Sequence, residues 1–212
     1  VTGDTKVVPR GKADRIFITT SGVGVLEHDL AIHGAAARPG DVIILSGSMG
    51  DHGIAVMAAR EGLPVEGLTS DSAPLWGLVE QMLEEAGEGI RVLRDPTRGG
   101  VATTLKEIAG QSAVTLQLEE DQLPVSPQVR GVCGILGLDP LYVANEGKLL
   151  AVVAPESAEP LLTRMRQHPL GQQAAIIGTV EAGESGRVRM RTTVGGMRVV
   201  EMLAGEQLPR IC

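Results

Sequence analysis

The sequence predicts an α/β protein built of strand and helix layers, and three observations carry that reading. Segments rich in β-branched residues alternate along the chain with segments whose apolar residues recur at helical spacing. Gly and Pro punctuate the changes between them, 28 Gly and 12 Pro in 212 residues. The hydrophobic residues make up 43% of the chain and are mostly small aliphatics, with aromatic rings at Phe17, Trp76 and Tyr142 alone. Side chains of that size suit the thin contact between a sheet and a covering helix.

Taken in order, "VTGDTKVV" opens the chain without Met and reads as a loop, as expected of a piece that lacks an N-terminal part. "RIFITTSGVGVL" (15–26) is rich in β-branched residues and closes on Gly, a strand signal. A Pro-Gly turn precedes a strand at 41–46, and a helix over "IAVMAAREG" follows the loop "SGSMGDHG". "SAPLWGLVEQMLEEAG" (72–87) places Leu75, Leu78, Val79, Met82 and Leu83 on one amphipathic stripe. "IRVLRD" is a strand that delivers Asp95 at its end, and "RGGVATTLKEIAG" is a helix opening on two glycines. A strand at 113–118 leads to "SPQVRGVCGILG", helical, with Ser126 as N-cap and Pro127 in its first turn. The rest reads as a strand at 148–154, a helix at 157–167 and strands near 174–181, 186–191 and 197–202. The expected organisation is therefore the trailing edge of another domain at 1–27, a linker at 28–38, an α/β domain at 39–200 and a flexible tail at 201–212.

The net charge of -7, from 26 acidic and 19 basic residues without a Lys/Arg run, argues against a nucleic-acid surface. No apolar stretch reaches the roughly 18 residues of a membrane span. Two cysteines cannot build a disulfide framework, which points to a reducing, cytosolic setting with free thiols.

Four polar clusters fall in Gly-rich loops, where a rigid scaffold usually carries its functional residues. "TGDTK" sets Asp4 and Lys6 beside Gly3; it reads as a carboxylate for Mg²⁺ and an ammonium for phosphate, or as a surface turn. In "SGSMGDHG", backbone amides at a helix start could face an anion, while Asp51 could equally cap the helix. "RDPTRGG" joins Asp95, suited to a metal, with Arg98, Gly99 and Gly100, suited to phosphate; an ion pair from Asp95 to Arg98 is the plainer alternative. "ANEGK" sets Asn145 and Glu146 just outside a hydrophobic strand, where a carboxylate could be desolvated into a base, or where Glu146 and Lys148 could be solvated rim charges.

The two cysteines differ. Cys133 lies among apolar neighbours at helical spacing and reads as a small buried hydrophobe. Cys212 is the last residue, in "LPRIC", and reads as an exposed thiol on an arm. About six extended residues reach roughly 20 Å. A thiol of ordinary pKa, about 8.5, accepts a group from an activated donor more readily than it attacks unaided.

Together, "VTGDTKVV", "GDHG", "RDPTRGGVA", "ANEGKL", "HPLG", "AAIIG" and the terminal "PRIC" resemble the HypE family of hydrogenase maturation factors, in the family's order from residue 1 to 212. That family belongs to the ATP-binding superfamily of aminoimidazole ribonucleotide synthetase, selenophosphate synthetase and thiamine monophosphate kinase. The resemblance implies the C-terminal α/β domain of that fold, preceded by a remnant of the N-terminal ATP-binding domain. It also implies the chemistry: the carbamoyltransferase HypF loads a carbamoyl group onto Cys212, and ATP with Mg²⁺ drives dehydration of the S-carboxamide to an S-thiocyanate. Cyanide then passes to iron held by the HypC-HypD complex, for the [NiFe]-hydrogenase site.

Carried onto this chain, the resemblance assigns Lys6 and Glu146 to deprotonation and positioning of the carboxamide nitrogen, and Asp4 and Asp95 to Mg²⁺. Asp51, Arg98, Gly99, Gly100 and Asn145 become the expected nucleotide contacts. Members of the family are longer, with an N-terminal domain that supplies most of the nucleotide site and the homodimer interface. Residues 1–212 alone are therefore expected to bind Mg-ATP weakly, which isothermal titration measures. A carrier that only shuttles the carbamoyl group, or a sister kinase or synthetase, is the competing reading.

Overall fold

The computed structural model describes residues 23–26 and 28–202. The chain divides into two compact units, Val1–Leu30 and Ala31–Cys212. Asp4, Lys6 and Cys212 lie outside the described residues, as does most of the strand expected over 15–26; residues 23–26 hold no regular element.

The second unit is a seven-stranded sheet covered on both faces. Its strands are β1 (Val42–Leu45), β2 (Ile90–Arg94), β3 (Thr115–Glu119), β4 (Leu150–Val153), β5 (Ala175–Glu181), β6 (Arg187–Arg191) and β7 (Met197–Val199), and its helices are α1 (Asp51–Glu61), α2 (Trp76–Ala86), α3 (Gly100–Gln111), α4 (Pro127–Leu136) and α5 (Pro155–Gln167). The strand order is β2-β4-β1-β5-β3-β6-β7. β3 and β6 run parallel, and the other pairings are antiparallel.

The side-chain alternation of a strand explains the layers. In β1, Ile43 and Leu45 join the cluster under α3 with Val101, Leu105 and Ile108, while Ile44 joins the opposite cluster with Leu78 and Met82 of α2 and Leu161 and Met165 of α5. In β4, Leu150 and Val152 face α3's side, and Ala151 and Val153 the other. Because both faces are covered, β1 and β4 are unbroken apolar runs, "VIIL" and "LAVV". A fully buried Leu or Ile contributes about 1.5–3 kcal/mol of transfer free energy, so these two faces dominate stability. A third, smaller cluster joins Ile54 and Met57 of α1 to Val129 and Cys133 of α4 and to Val143.

Two helix starts depart most from the sequence reading. α1 begins at Asp51, ahead of Ile54, because Gly50 takes a left-handed turn (φ 86°) that lets the helix start at the next residue. α2 begins at Trp76 rather than Ser72. Pro74 lacks an N–H and disfavours helical backbone at Ala73, and the main chain of Asp71 and Ala73 lies against Gly147. The expected N-cap of α4 is present: Ser126 Oγ accepts from Val129 N at 3.3 Å, with Pro127 at the first position.

Candidate functional site

Three of the expected site residues line one cleft. Asp95 and Arg98 come from the loop between β2 and α3, Glu146 from the loop ahead of β4, and the three share a cavity of about 360 Å³ with Arg94, Thr97, Thr104 and Glu107. Every lining side chain is polar or charged, which suits phosphate and cation chemistry rather than a nucleobase.

β2 ends where Pro96 removes a ladder donor, so Asp95 emerges just past the sheet, exposed, with Thr97 Oγ1 donating to its Oδ2 at 3.3 Å. Gly99 then turns left-handed (φ 72°) as the N-cap of α3, without a side-chain cap. Gly100, also left-handed at φ 63°, comes so close to the chain at 141–143 that a Cβ would stand 2.5 Å from Leu141 O and 2.7 Å from Val143 O. The opening of α3 is thus pressed against the approach to the "ANEGK" loop. On the cleft wall, Arg94 donates to Glu107 Oε2 at 2.8 Å, and Thr104 Oγ1 donates to Gly100 O.

Asn145 plays a different part from the one expected. Its side chain is fully buried, and its polar atoms are bonded within the protein: Oδ1 accepts from Gly50 N at 2.7 Å, and Nδ2 donates to Pro96 O at 2.9 Å and Val143 O at 3.1 Å. One amide therefore fastens three Gly-rich loops together, as a buried polar group must when no water reaches it. Asn145 positions the cleft instead of lining it.

Asp51 is also drawn elsewhere. Its Oδ1 accepts from Ser126 Oγ at 2.9 Å, tying the first turn of α1 to the N-cap of α4, and it does not line the cleft. Gly50 is the N-cap of α1 and no side chain caps it, so Asp51 does not cap the helix; as an acidic group in the first turn it complements the helix dipole. Lys148 is no rim charge: its side chain is 13% exposed and its Nζ lies 3.3 Å from Oδ2 of Asp71, whose side chain is 3% exposed.

Asp71 is the residue that sequence reasoning missed. Its Oδ1 accepts the backbone N–H groups of Glu146 (3.0 Å) and Gly147 (3.2 Å). The signal available was the turn composition of "TSDSAP", which marks a loop and says nothing of a partner 75 residues away.

Cys133 is 2% exposed in the α1/α4 cluster, and burial, with Asp139 nearby, pushes its thiol up to about 11. It stays protonated and packs as a hydrophobe. Among the described residues no three His, Cys, Asp or Glu come together as a metal cluster, and no helix is long and apolar enough to cross a membrane.

The C-terminal domain of AIR synthase related protein matches residues 38–191. The carbamoyl dehydratase HypE of Cupriavidus necator is 60% identical over 215 residues, covering all of this chain and 60% of that protein. A solved HypE in complex with ATP superposes with a TM-score of 0.90 at 50% identity, over 98% of this chain and 63% of that one. A HypE-HypF complex gives 0.85 at 46% identity, over 91% and 63%. The chain thus spans about six tenths of the length of the relatives it matches. Through this domain the chain belongs to the AIR synthase related family, as a homologue of the carbamoyl dehydratase HypE.

Proposed function

We propose that this chain supplies the C-terminal domain and acceptor thiol of an ATP-dependent carbamoyl dehydratase that makes the cyanide ligand of [NiFe]-hydrogenase. The observation that carries the reading is the cleft that unites Asp95, Arg98 and Glu146, in a chain homologous to HypE from end to end. Support for the nucleotide comes from the HypE solved with ATP, and for the carbamoyl donor from the HypE-HypF complex.

An amide oxygen is a poor leaving group. In the proposed reaction the carboxamide oxygen on Cys212 attacks the γ-phosphorus of ATP, ADP departs, and the C–O bond then breaks to release phosphate. The nitrogen gives up both protons as the C≡N bond forms, so the net change at sulfur is loss of one water. Glu146, at the cleft, takes a nitrogen proton; Lys6 is the second candidate for that work. Arg98 and the amides at the opening of α3 bind phosphoryl oxygens, where fixed positive groups lower the barrier most.

The donor set fits Mg²⁺, which commonly uses one or two carboxylates together with substrate phosphates and water. Asp95 would hold it, Asp4 being the other proposed metal carboxylate, and the bound ion would neutralise charge on the transferring phosphoryl group. HypF supplies the carbamoyl group and the HypC-HypD complex receives the cyanide; the complete protein is a cytoplasmic homodimer.

The test is mass spectrometry of the complete protein, carbamoylated at Cys212 and given Mg-ATP. Loss of one water at Cys212 is expected. A carbamoyl group that persists unchanged would leave a carrier, and ATP turnover that survives removal of Cys212 would leave a sister kinase.

A further inference from the structure

We infer that Asp71 is a positioning residue that sets Glu146 in the cleft; the inference rests on the proposed role of Glu146. Asp71 lies in the irregular connection between α1 and α2, yet its side chain is 3% exposed. One carboxylate grips three consecutive residues. Oδ1 accepts from Glu146 N and Gly147 N, and Oδ2 lies 3.3 Å from Lys148 Nζ, an ion pair without hydrogen-bond alignment.

The main chain closes the same contact. A Cβ on Gly147 would stand 1.7 Å from Asp71 O and 3.0 Å from Ala73 N, so only glycine lets the two segments meet. The connection is itself anchored: Ser70 Oγ lies 2.9 Å from His52 Nδ1 of α1 and accepts from Ser72 N at 3.2 Å, bracing the turn that presents Asp71. The stem of Lys148 lies against Gly47, where a Cβ would come within 3.2 Å of its Cε. Glu146 is therefore held from both sides, by Asn145 at its N-terminal side and by Asp71 at its C-terminal side.

A buried carboxylate is costly unless it is paired and hydrogen-bonded. The bonds this one makes all go to the loop carrying Glu146, so the outcome of its burial is the fixed direction of that loop. A base displaced by about 1 Å can lose on the order of 100-fold in rate. Asp71 touches no reacting atom in this scheme and acts through Glu146.

The experiment is a double-mutant cycle in the complete carbamoylated protein, reading the single-turnover dehydration rate at saturating Mg-ATP and the ATP concentration for half-maximal rate. D71A is expected to lower the rate about 10- to 100-fold with the half-maximal ATP concentration unchanged, and to cost nothing further once E146Q is present. D71N keeps the volume and the acceptor for both amides but sets an amide against Lys148. It is expected to keep the wild-type circular dichroism and a cooperative melt while losing less rate than D71A, which guards against a variant that fails to fold.

Equal losses from D71A with and without E146Q would overturn the positioning role. An undiminished rate in D71A, with E146Q impaired, would overturn it while leaving Glu146 as the base. An undiminished rate in E146Q would overturn the reading of Glu146 itself, and the role of Asp71 with it.

Discussion

The loop before α1 and the loop before α3 are written alike. Each follows a strand, each ends in a left-handed glycine that caps a helix without side-chain help, and each carries an Asp near the turn: Asp51 after Gly50, Asp95 ahead of Gly99. The tertiary structure uses them oppositely. Asp51 is bonded to Ser126 and joins two helices of the small cluster, whereas Asp95 stands exposed at the mouth of a polar cleft. An Asp beside a helix-opening glycine can thus end as a tie between two helices or stand exposed in a polar cleft. Which one it becomes depends on whether a hydroxyl from another element reaches it.

The largest test removes what the two loops share. Asn145 bonds to Gly50 of one and Pro96 of the other, and truncating it removes the partners of Gly50 N and Val143 O, at about 1–3 kcal/mol for each buried group left unsatisfied, while Pro96 O keeps the Asn145 backbone N–H. N145A is expected to lose about 3–5 kcal/mol in urea unfolding; a loss under about 1 kcal/mol would show that the loops hold themselves without it.

A smaller test separates the two glycines. Both have positive φ, but the Cβ of Gly100→Ala would meet main-chain carbonyls, while that of Gly50→Ala would first meet Cγ1 of Val129 at 3.0 Å, a side chain that can turn aside. G100A is expected to cost about 3 kcal/mol and G50A about 1–2 kcal/mol in the same measurement. Equal costs would mean that left-handed strain alone decides both positions.

The smallest stability effect, and the sharpest contrast in activity, belongs to the two acids. D51A is expected to lose about 1 kcal/mol of stability and keep dehydration at Cys212. D95N, at an exposed position, should stay within about 0.5 kcal/mol of wild type yet lose Mg-ATP-dependent dehydration by 10-fold or more. The reverse pattern would transfer the site to the α1 loop.

Much of this was legible in the sequence. The alternation of elements, the Ser126 cap, the burial of Cys133 and the presence of polar loops at "RDPTRGG" and "ANEGK" follow from short-range rules: β-branching, helical spacing, proline's missing donor and glycine's freedom. The start of α2 was not: its apolar stripe begins only at Leu75, and the chain ahead of it turns to meet Gly147. Asn145 was expected as a nucleotide contact through the family resemblance; its burial depends on three loops converging, which no spacing within one loop reports.

By itself, the sequence determined which stretches become strands and helices, which loops carry polar chemistry and which cysteine is core. The tertiary structure decided the mixed, mostly antiparallel strand order, the inward turn of Asn145, the bonding of Asp51 to Ser126 and the hold of Asp71 on Glu146 and Gly147. The division has a physical cause. Backbone preferences act over a few residues, whereas the fate of a carboxylate or amide is set by the donor that meets it, and here those donors come from 75 to 95 residues away.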